Sequence, residues 1–394
     1  MNDSPYPLRS IYFYLTKYCN LKCRHCWMAP EHQASLSGAN LSSYLDLGLI
    51  RSTIDQAKDL GLESVKLTGG EPLLHPRIEE VIKIVRDSGC HLVIETNGIL
   101  CSTSIAELIG SFAPKVCVSV SLDGSNALTH DWVRGVSGSY RRAIIGIENL
   151  VNAGLKPQII MSLLRRNKDQ IQSVVKLAEE LGAGSVKFNP IQPTARGVTL
   201  YEGNEALSIN ELVSLGAWVE NILVQKTNLR LIYTHPMAFR SLSRMFAGEK
   251  AGCSLCGVLS ILGVLADGSY SLCGIGESVP ELVFGHAADL PLADLWHDNH
   301  ILRELREGLP ERLTGVCRDC LMKAMCRGSC IAQNYYSNGN LWSPYWYCDQ
   351  AYGAGLFPTE RLSKSESGIG RVSKPLSYRE EERGDPQWNG KRLS

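Results

Sequence analysis

Three cysteines stand close together near the start of the chain, in the run Cys19-Asn20-Leu21-Lys22-Cys23-Arg24-His25-Cys26-Trp27. Thiolates spaced C-x3-C-x2-C in one loop can converge on one face of an iron–sulfur cube, because such clusters are held by cysteine sulfur. Three ligands on a four-iron cube leave one iron without a protein ligand. An iron open in this way can bind a small molecule, as open catalytic metal sites do and closed structural sites do not. A zinc ion with a fourth ligand such as His25, or three packed thiols, fits the same spacing. A second field of cysteines lies far downstream. Cys253 and Cys256 precede a Gly268-x4-Cys273 element, Cys317-x2-Cys320-x5-Cys326-x3-Cys330 follows, and Cys348 comes after seventeen more residues. Eight thiols suffice for two fully ligated four-iron clusters, or for two zinc sites. Cys90, Cys101 and Cys117 stand apart, and such free thiols commonly serve as small buried hydrophobes.

The rest of the composition says where these thiols work. The chain has 394 residues, fourteen of them cysteine. Its first ten residues are polar and interrupted by Pro5 and Pro7, unlike a secretory signal. No stretch approaches the roughly 20 apolar residues that span a bilayer; the longest apolar run, 258–266, is strand-sized. A soluble, cytoplasmic protein with no membrane partner is expected, and in that compartment reduced thiols point to metal rather than disulfides. Forty basic side chains balance forty acidic ones, so net charge gives no argument for a nucleic-acid partner.

The elements that must position the cysteines follow from periodicity. Strands are expected at 11–15, 64–67, 91–95, 116–121, 158–163 and 185–188. Helices are expected at 42–60, 77–88, 104–111, 140–153 and 169–181, with another at 210–226. Gly61, Gly89, Gly154 and Gly182 follow four of these helices, as a C′ glycine does. Parallel strands need helical crossovers, so the alternation predicts a parallel α/β sheet, either open and doubly wound or a partial barrel. In both, the carboxyl ends of the strands carry the chemistry, and the first cysteine loop directly follows the first strand. From about residue 252 the pattern turns to short strands and dense cysteines, which places a boundary at 230–250. Past Pro358 the chain is Ser-, Gly- and charge-rich and reads as a disordered or loosely docked tail.

Several strand ends together carry a resemblance. Thr68-Gly69-Gly70-Glu71-Pro72 follows the second strand and Glu95-Thr96-Asn97-Gly98 the third. Ser119-Val120-Ser121-Leu122-Asp123-Gly124 ends the fourth, His130-Asp131-Trp132 and Arg134 come after it, and Asn189-Pro190 and Arg196-Gly197 follow the sixth. With the cysteine loop and Trp27, these resemble in order the motifs of radical S-adenosylmethionine (SAM) enzymes. The resemblance implies a TIM-like partial (β/α)6 barrel and a [4Fe–4S] cluster on Cys19, Cys23 and Cys26 whose open iron takes SAM. It implies that Gly69, Gly70 and Glu71 hold the SAM amino group, glycine allowing backbone to approach a ligand closely. It also implies a cofactor pocket bordered by Trp27 and lined by Asn97, Ser121 and Asp123, which can hydrogen-bond hydroxyls, carboxylate or amine. The chemistry would be the cofactor's: reductive cleavage of SAM to a 5′-deoxyadenosyl radical that takes hydrogen from a C–H bond. No catalytic acid or base is legible. Tyr233, His235 and Arg240 fall between the two regions and read as packed or exposed side chains.

The second cysteine field, with Leu295-Trp296 and Leu302-x3-Arg306, resembles the SPASM extension of the same enzymes. That resemblance implies two auxiliary [4Fe–4S] clusters, making three in all. Cys253, Cys256, Cys273 and Cys330 would hold the first, and Cys317, Cys320, Cys326 and Cys348 the second. The close Cys253-x2-Cys256 pair departs from the spacing of some relatives and leaves open whether both ligate. The implied plan is a lead-in (1–10), the barrel (11–200), a bridging helical region (201–250), the SPASM domain (251–358) and the tail (359–394). Relatives of this type mainly modify peptides and proteins. The implied function is hydrogen abstraction from a peptide, leading to oxidative modification or cross-linking of a ribosomally synthesised peptide. Sulfatase maturation and tetrapyrrole modification are the alternatives, with a non-catalytic iron–sulfur or zinc protein the remote one. Sulfatase maturases have an Asp after the cysteine matching Cys273, where this chain has Gly274. The implied partners are a peptide or protein substrate and an electron donor such as flavodoxin or ferredoxin. With only about ten residues before the first strand, a leader peptide would need a separate leader-peptide-binding protein, the cleft itself or the C-terminal tail. The aromatic run Trp342 to Tyr347 is expected to shield a cluster.

Overall fold

In the computed structural model, which describes residues 6–33, 41–242, 245 and 256–363, seven parallel strands pair in chain order. They are β1 (Ser10–Tyr14), β2 (Ser64–Thr68), β3 (His91–Thr96), β4 (Val116–Ser121), β5 (Gln158–Leu163), β6 (Ser185–Pro190) and β7 (Arg230–Tyr233). Parallel neighbours require crossovers. These carry α1 (Leu47–Lys58), α2 (Ile78–Ser88), α3 (Thr103–Gly110), α4 (Ala127–Arg134), α5 (Ser139–Asn152), α6 (Ile171–Glu180), α7 (Gly197–Glu202) and α8 (Ile209–Asn221).

The expected strands are all present, and the helices differ at their ends for local reasons. α1 begins at Leu47 rather than at 42 because the Asp46 carboxylate accepts from the amides of Gly48 (2.7 Å) and Leu49 (3.1 Å), fixing the N-terminus there. α8 is set by a reciprocal Ser208–Glu211 capping box. Periodicity missed α4, α7 and β7. For α4 the signal lay in its ends: Asn126 caps the first turn and Gly135 closes the helix in the left-handed conformation.

Parallel sheets covered on both faces read as near-continuous apolar runs. Here the strands alternate instead. Ile11, Phe13, Val65, Leu67, Leu92, Ile94, Val118, Val120, Val186 and Phe188 are buried in one core with the helices, each contributing about 1.5–3 kcal/mol by leaving water. Tyr12, Lys66, Glu95, Ser121, Lys187 and Asn189 occupy the opposite face and are only part-buried. A period of two in a parallel sheet means that helices cover one side and the other lines a cavity.

The cysteine-rich segment joins the same sheet at its other edge. β8 (Ile261–Val264) pairs parallel with β1, and β9 (Ser269–Ser271) and β10 (Val283–His286) follow antiparallel. The order is β10-β9-β8-β1-β2-β3-β4-β5-β6-β7, an open sheet ending in β7 and β10. Apolar side chains from β1 to Phe357 belong to one continuous core.

Candidate active site

The loop after β1 that carries Cys19, Cys23 and Cys26 is held from three sides. At the end of β2, Gly70 N donates to Thr16 O (3.1 Å) and Glu71 N to Tyr18 O (2.9 Å). A Cβ on Gly70 would lie 1.9 Å from Tyr18 O. Gly70 is therefore demanded by the approach of two backbones, and not only by a ligand as its motif implies. At the end of α4, Lys22 N donates to Arg134 O (3.1 Å) and Arg24 N to Val133 O (3.0 Å). On the remaining side Arg196 N reaches Cys26 O (3.3 Å), and Arg196 Nη2 donates to Pro30 O at 2.7 Å.

The loop and the strand ends enclose a cavity of about 390 Å³, bordered by all three cysteines, Trp27, Gly70, Glu71, Asn97 and Ser121. Among the described residues no three Cys, His, Asp or Glu side chains gather as a single-metal site would require. The thiols surround a space instead, which suits a cluster in which each cysteine holds a different iron. Burial raises the Cys19 and Cys23 thiols above their ordinary range, with Arg134 pulling Cys23 back. Such thiols stay protonated until a metal takes the sulfur.

Glu71 is 1% exposed. Its carboxylate accepts from Thr96 Oγ1 (2.6 Å), Asn97 N (2.8 Å) and Leu73 N (3.1 Å). Burial nevertheless pushes its pKa up to about 7, the hydrogen bonds opposing the rise. A carboxylate has about four acceptor sites, so Glu71 retains capacity for one donor from the cavity, such as an ammonium group. Asn97 is committed to the scaffold: its Nδ2 donates to Asn20 Oδ1 (2.7 Å) and its Oδ1 accepts from Ile99 N (3.0 Å). Gly69, with φ +126°, shapes the turn without lining the cavity.

Asp123 departs from its expected place. It is fully buried, does not border the cavity, and pairs with Arg134 Nε at 2.7 Å. The cavity wall includes Asn189, from the motif after the sixth strand, and also Ser162, Lys187, Gln192 and Thr234, which motif reading missed. The alternation along β5 and β6 was the available signal for Ser162 and Lys187. His25 faces the same space, its Nε2 3.1 Å from Ser162 Oγ, and burial lowers it to about 4, so the imidazole is neutral. Glu95 pairs with Lys66 at 2.6 Å; burial would raise its carboxyl, but Lys66 holds it below the usual range.

The second cysteine field divides into two groups. Cys330 and Cys273 lie close enough to Cys256 for their charges to act on its thiol, and burial followed by the charge of Cys330 pushes Cys273 up to about 12. Cys253 lies outside the described residues. Cys317, Cys320, Cys326 and Cys348 border one small cavity. Within it the Cys317 and Cys348 thiols share a hydrogen bond that lowers the first and raises the second. Between the groups Arg327, Gly328 and Ser329 have φ of 49°, 76° and 60°, a left-handed turn that carries Cys330 away from Cys326. Trp342, Tyr345, Trp346 and Tyr347 are buried beside Cys348.

Of the remaining thiols, Cys90 and Cys101 are buried, and Cys101 does not reach the cavity. Cys117 is exposed, because it lies at the amino end of β4 on the face that helices leave uncovered. Tyr233 and His235 are packed: Tyr233 Oη donates to Leu212 O (2.8 Å), and His235 Nε2 lies 3.0 Å from Glu220 Oε1.

Residues 13–178 match the radical SAM superfamily, and residues 253–321 match the iron–sulfur cluster-binding SPASM domain. The chain belongs to the radical SAM enzymes that carry a SPASM domain, which use SAM and iron–sulfur clusters. It is 30% identical over 371 residues to the AdoMet-dependent heme synthase of Methanosarcina barkeri, covering 88% of this chain and 97% of that protein. It is 28% identical over 357 residues to the mycofactocin maturase of Mycolicibacterium smegmatis, covering 90% and 86%. Its fold is similar to that of Streptococcus suis SuiB bound to S-adenosylmethionine, with a TM-score of 0.68 at 20% identity, covering 87% of this chain and 77% of that one.

Proposed function

We propose that this enzyme removes a hydrogen atom from a side chain or Cα of a peptide at the mouth of the cavity, and so oxidatively modifies or cross-links a ribosomally synthesised peptide. The polar lining of the cavity carries this reading. Ser121, Ser162, Asn189 and Gln192 offer donors and acceptors to a peptide backbone. The likeness to the mycofactocin maturase supports the same substrate class, as does a similar fold in SuiB bound to its precursor peptide SuiA.

Cys19, Cys23 and Cys26 would hold the SAM-binding cluster. Cys253, Cys256, Cys273 and Cys330 would hold one auxiliary cluster, and Cys317, Cys320, Cys326 and Cys348 the other. When bound, the first cluster and SAM supply a 5′-deoxyadenosyl radical that takes hydrogen from an unactivated C–H bond. The chain's own residues would orient and enclose: Glu71 would receive the SAM ammonium, Gly70 lets the turn close on the loop, and the polar strand ends would hold the substrate in the cavity. A flavodoxin- or ferredoxin-type donor supplies the electron, and a separate protein presents the leader. No helix among the described residues is long and apolar enough to cross a membrane, and we assign the reaction to the cytoplasm, where thiols stay reduced.

Tetrapyrrole modification is the second reading, favoured by the 30% identity to the heme synthase. Formylglycine formation is disfavoured at Gly274, where a Cβ would lie 2.3 Å from the Tyr14 ring and 2.9 Å from Trp27, leaving no room for an Asp. The deciding experiment gives anaerobically reconstituted enzyme, SAM and dithionite either a precursor peptide encoded beside its gene or a carboxylated tetrapyrrole. The peptide reading expects 5′-deoxyadenosine formation together with peptide that has lost hydrogen by mass. Conversion of the tetrapyrrole with an unchanged peptide would overturn it.

A further inference from the structure

Asp123 and Arg134 form an ion pair with side chains 0% and 7% exposed. Two charges held this deep cost several kcal/mol each in lost hydration, which attraction offsets only in good geometry. Here Asp123 is held in place by its neighbours. Its Oδ1 accepts from Ser162 N (2.8 Å), its carbonyl accepts from Asn167 Nδ2 (2.9 Å), and its own amide donates to His130 Nδ1 (3.2 Å). These bonds hold the carboxylate beside the guanidinium. On the far side of that group, Arg134 Nη1 points at Cys23 Sγ, 3.6 Å away. The carbonyl of Arg134 meanwhile accepts from Lys22 N, so the residue grips the cysteine loop by backbone and side chain together. Cys19 Sγ, by contrast, receives the neutral amide of Leu21 at 3.4 Å.

We propose that Arg134, anchored by Asp123, is a positioning residue that donates to the Cys23 sulfur and raises the reduction potential of the cluster held by this loop. A reduced cluster carries one more negative charge than an oxidised one. A fixed positive charge in a low-dielectric site therefore stabilises the reduced form more, and N–H···S hydrogen bonds to cluster sulfur are among the groups that set its potential. The inference rests on Cys23 being a cluster ligand and is independent of the substrate.

The experiment uses the full chain, reconstituted with iron and sulfide, as wild type and as R134M, R134Q and R134K. Potentiometric titration follows the electron paramagnetic resonance signal that changes when SAM is added, which identifies the first cluster among the others. In R134M and R134Q the ratio of reduced to oxidised cluster at fixed potential should fall at least about tenfold, a shift of about 59 mV for one electron. R134K, which keeps the charge, should fall less, and the signals indifferent to SAM should not move. If R134M takes up no iron, R134Q and R134K carry the comparison. Iron-replete variants whose SAM-responsive signal titrates at the wild-type potential would overturn the proposal. A C23A protein that keeps that signal would instead overturn the ligand assignment beneath it.

Discussion

Replacing Gly70 by Ala tests how the cofactor turn and the cysteine loop are joined. The new Cβ would lie 1.9 Å from Tyr18 O and 2.5 Å from Tyr18 C, both backbone atoms that no rotamer change can move. Real Cβ contacts stay beyond 3.0 Å, so the two segments must part by about 1 Å. That displacement stretches Gly70 N to Thr16 O and Glu71 N to Tyr18 O, now 3.1 and 2.9 Å, past useful hydrogen-bond length. Each buried backbone group left unpaired costs about 1–3 kcal/mol, so a loss of about 4 kcal/mol is expected. Urea unfolding of iron-free protein measures it. Gly353→Ala is the control, since its Cβ meets nothing within 4 Å, and an added methyl there should be neutral or stabilising by about 0.4–1 kcal/mol. The G70A protein should also lose the SAM-responsive cluster. A G70A chain as stable as G353A and fully loaded with iron would refute the argument.

Other outcomes follow from the same geometry. Burial holds Glu71 at about 7 against an ordinary 4.5, so its contribution to stability is fully present below about pH 4.5 and is lost as pH rises through 7, by about 3 kcal/mol. Urea titrations of iron-free protein at about pH 5 and about pH 8 should show that loss in wild type but not in E71Q; parallel pH dependences would contradict it. C23A should carry about 8 irons per chain instead of about 12 and lose SAM cleavage, whereas C320A should lose iron to a similar extent and still release 5′-deoxyadenosine. Iron analysis and chromatography of the nucleoside check both, and equal loss of cleavage in the two variants would count against separate clusters. Asp46→Ala removes the cap of α1 and should lower the unfolding free energy by about 1 kcal/mol; an unchanged urea midpoint would contradict that role.

Much of this site was legible because its cues are local. Three thiols within eight residues must share one loop, and that loop must follow a strand whose alternation, Ile11 and Phe13 against Tyr12 and Tyr14, is written in consecutive letters. The same alternation in Lys66, Glu95, Lys187 and Asn189 announces a polar lumen in a parallel sheet, a stronger cue than any single motif. Helices of ten or more residues also show their period. α4 does not: it is eight residues long with His130 and Asp131 inside it, and only its caps betray it. Nor does β7, whose four residues form a strand because β6 offers them an unpaired edge.

By itself, the amino-acid sequence indicated the alternation of strands and helices, the loop that gathers Cys19, Cys23 and Cys26, and the family to which the chain belongs, since spacing along a chain limits which groups one turn can bring together. Tertiary structure alone decided what depends on distances between segments far apart in sequence. Asp123 carries a motif residue's letter, yet it is removed from the cavity because Arg134, Ser162 and His130 converge on it. Cys330 sits four residues from Cys326, and it reaches Cys256 and Cys273, the grouping that the resemblance implied, because three left-handed residues turn the backbone between them. Gly70 is required by a carbonyl fifty-two positions earlier, at Tyr18. Each is a matter of packing in three dimensions.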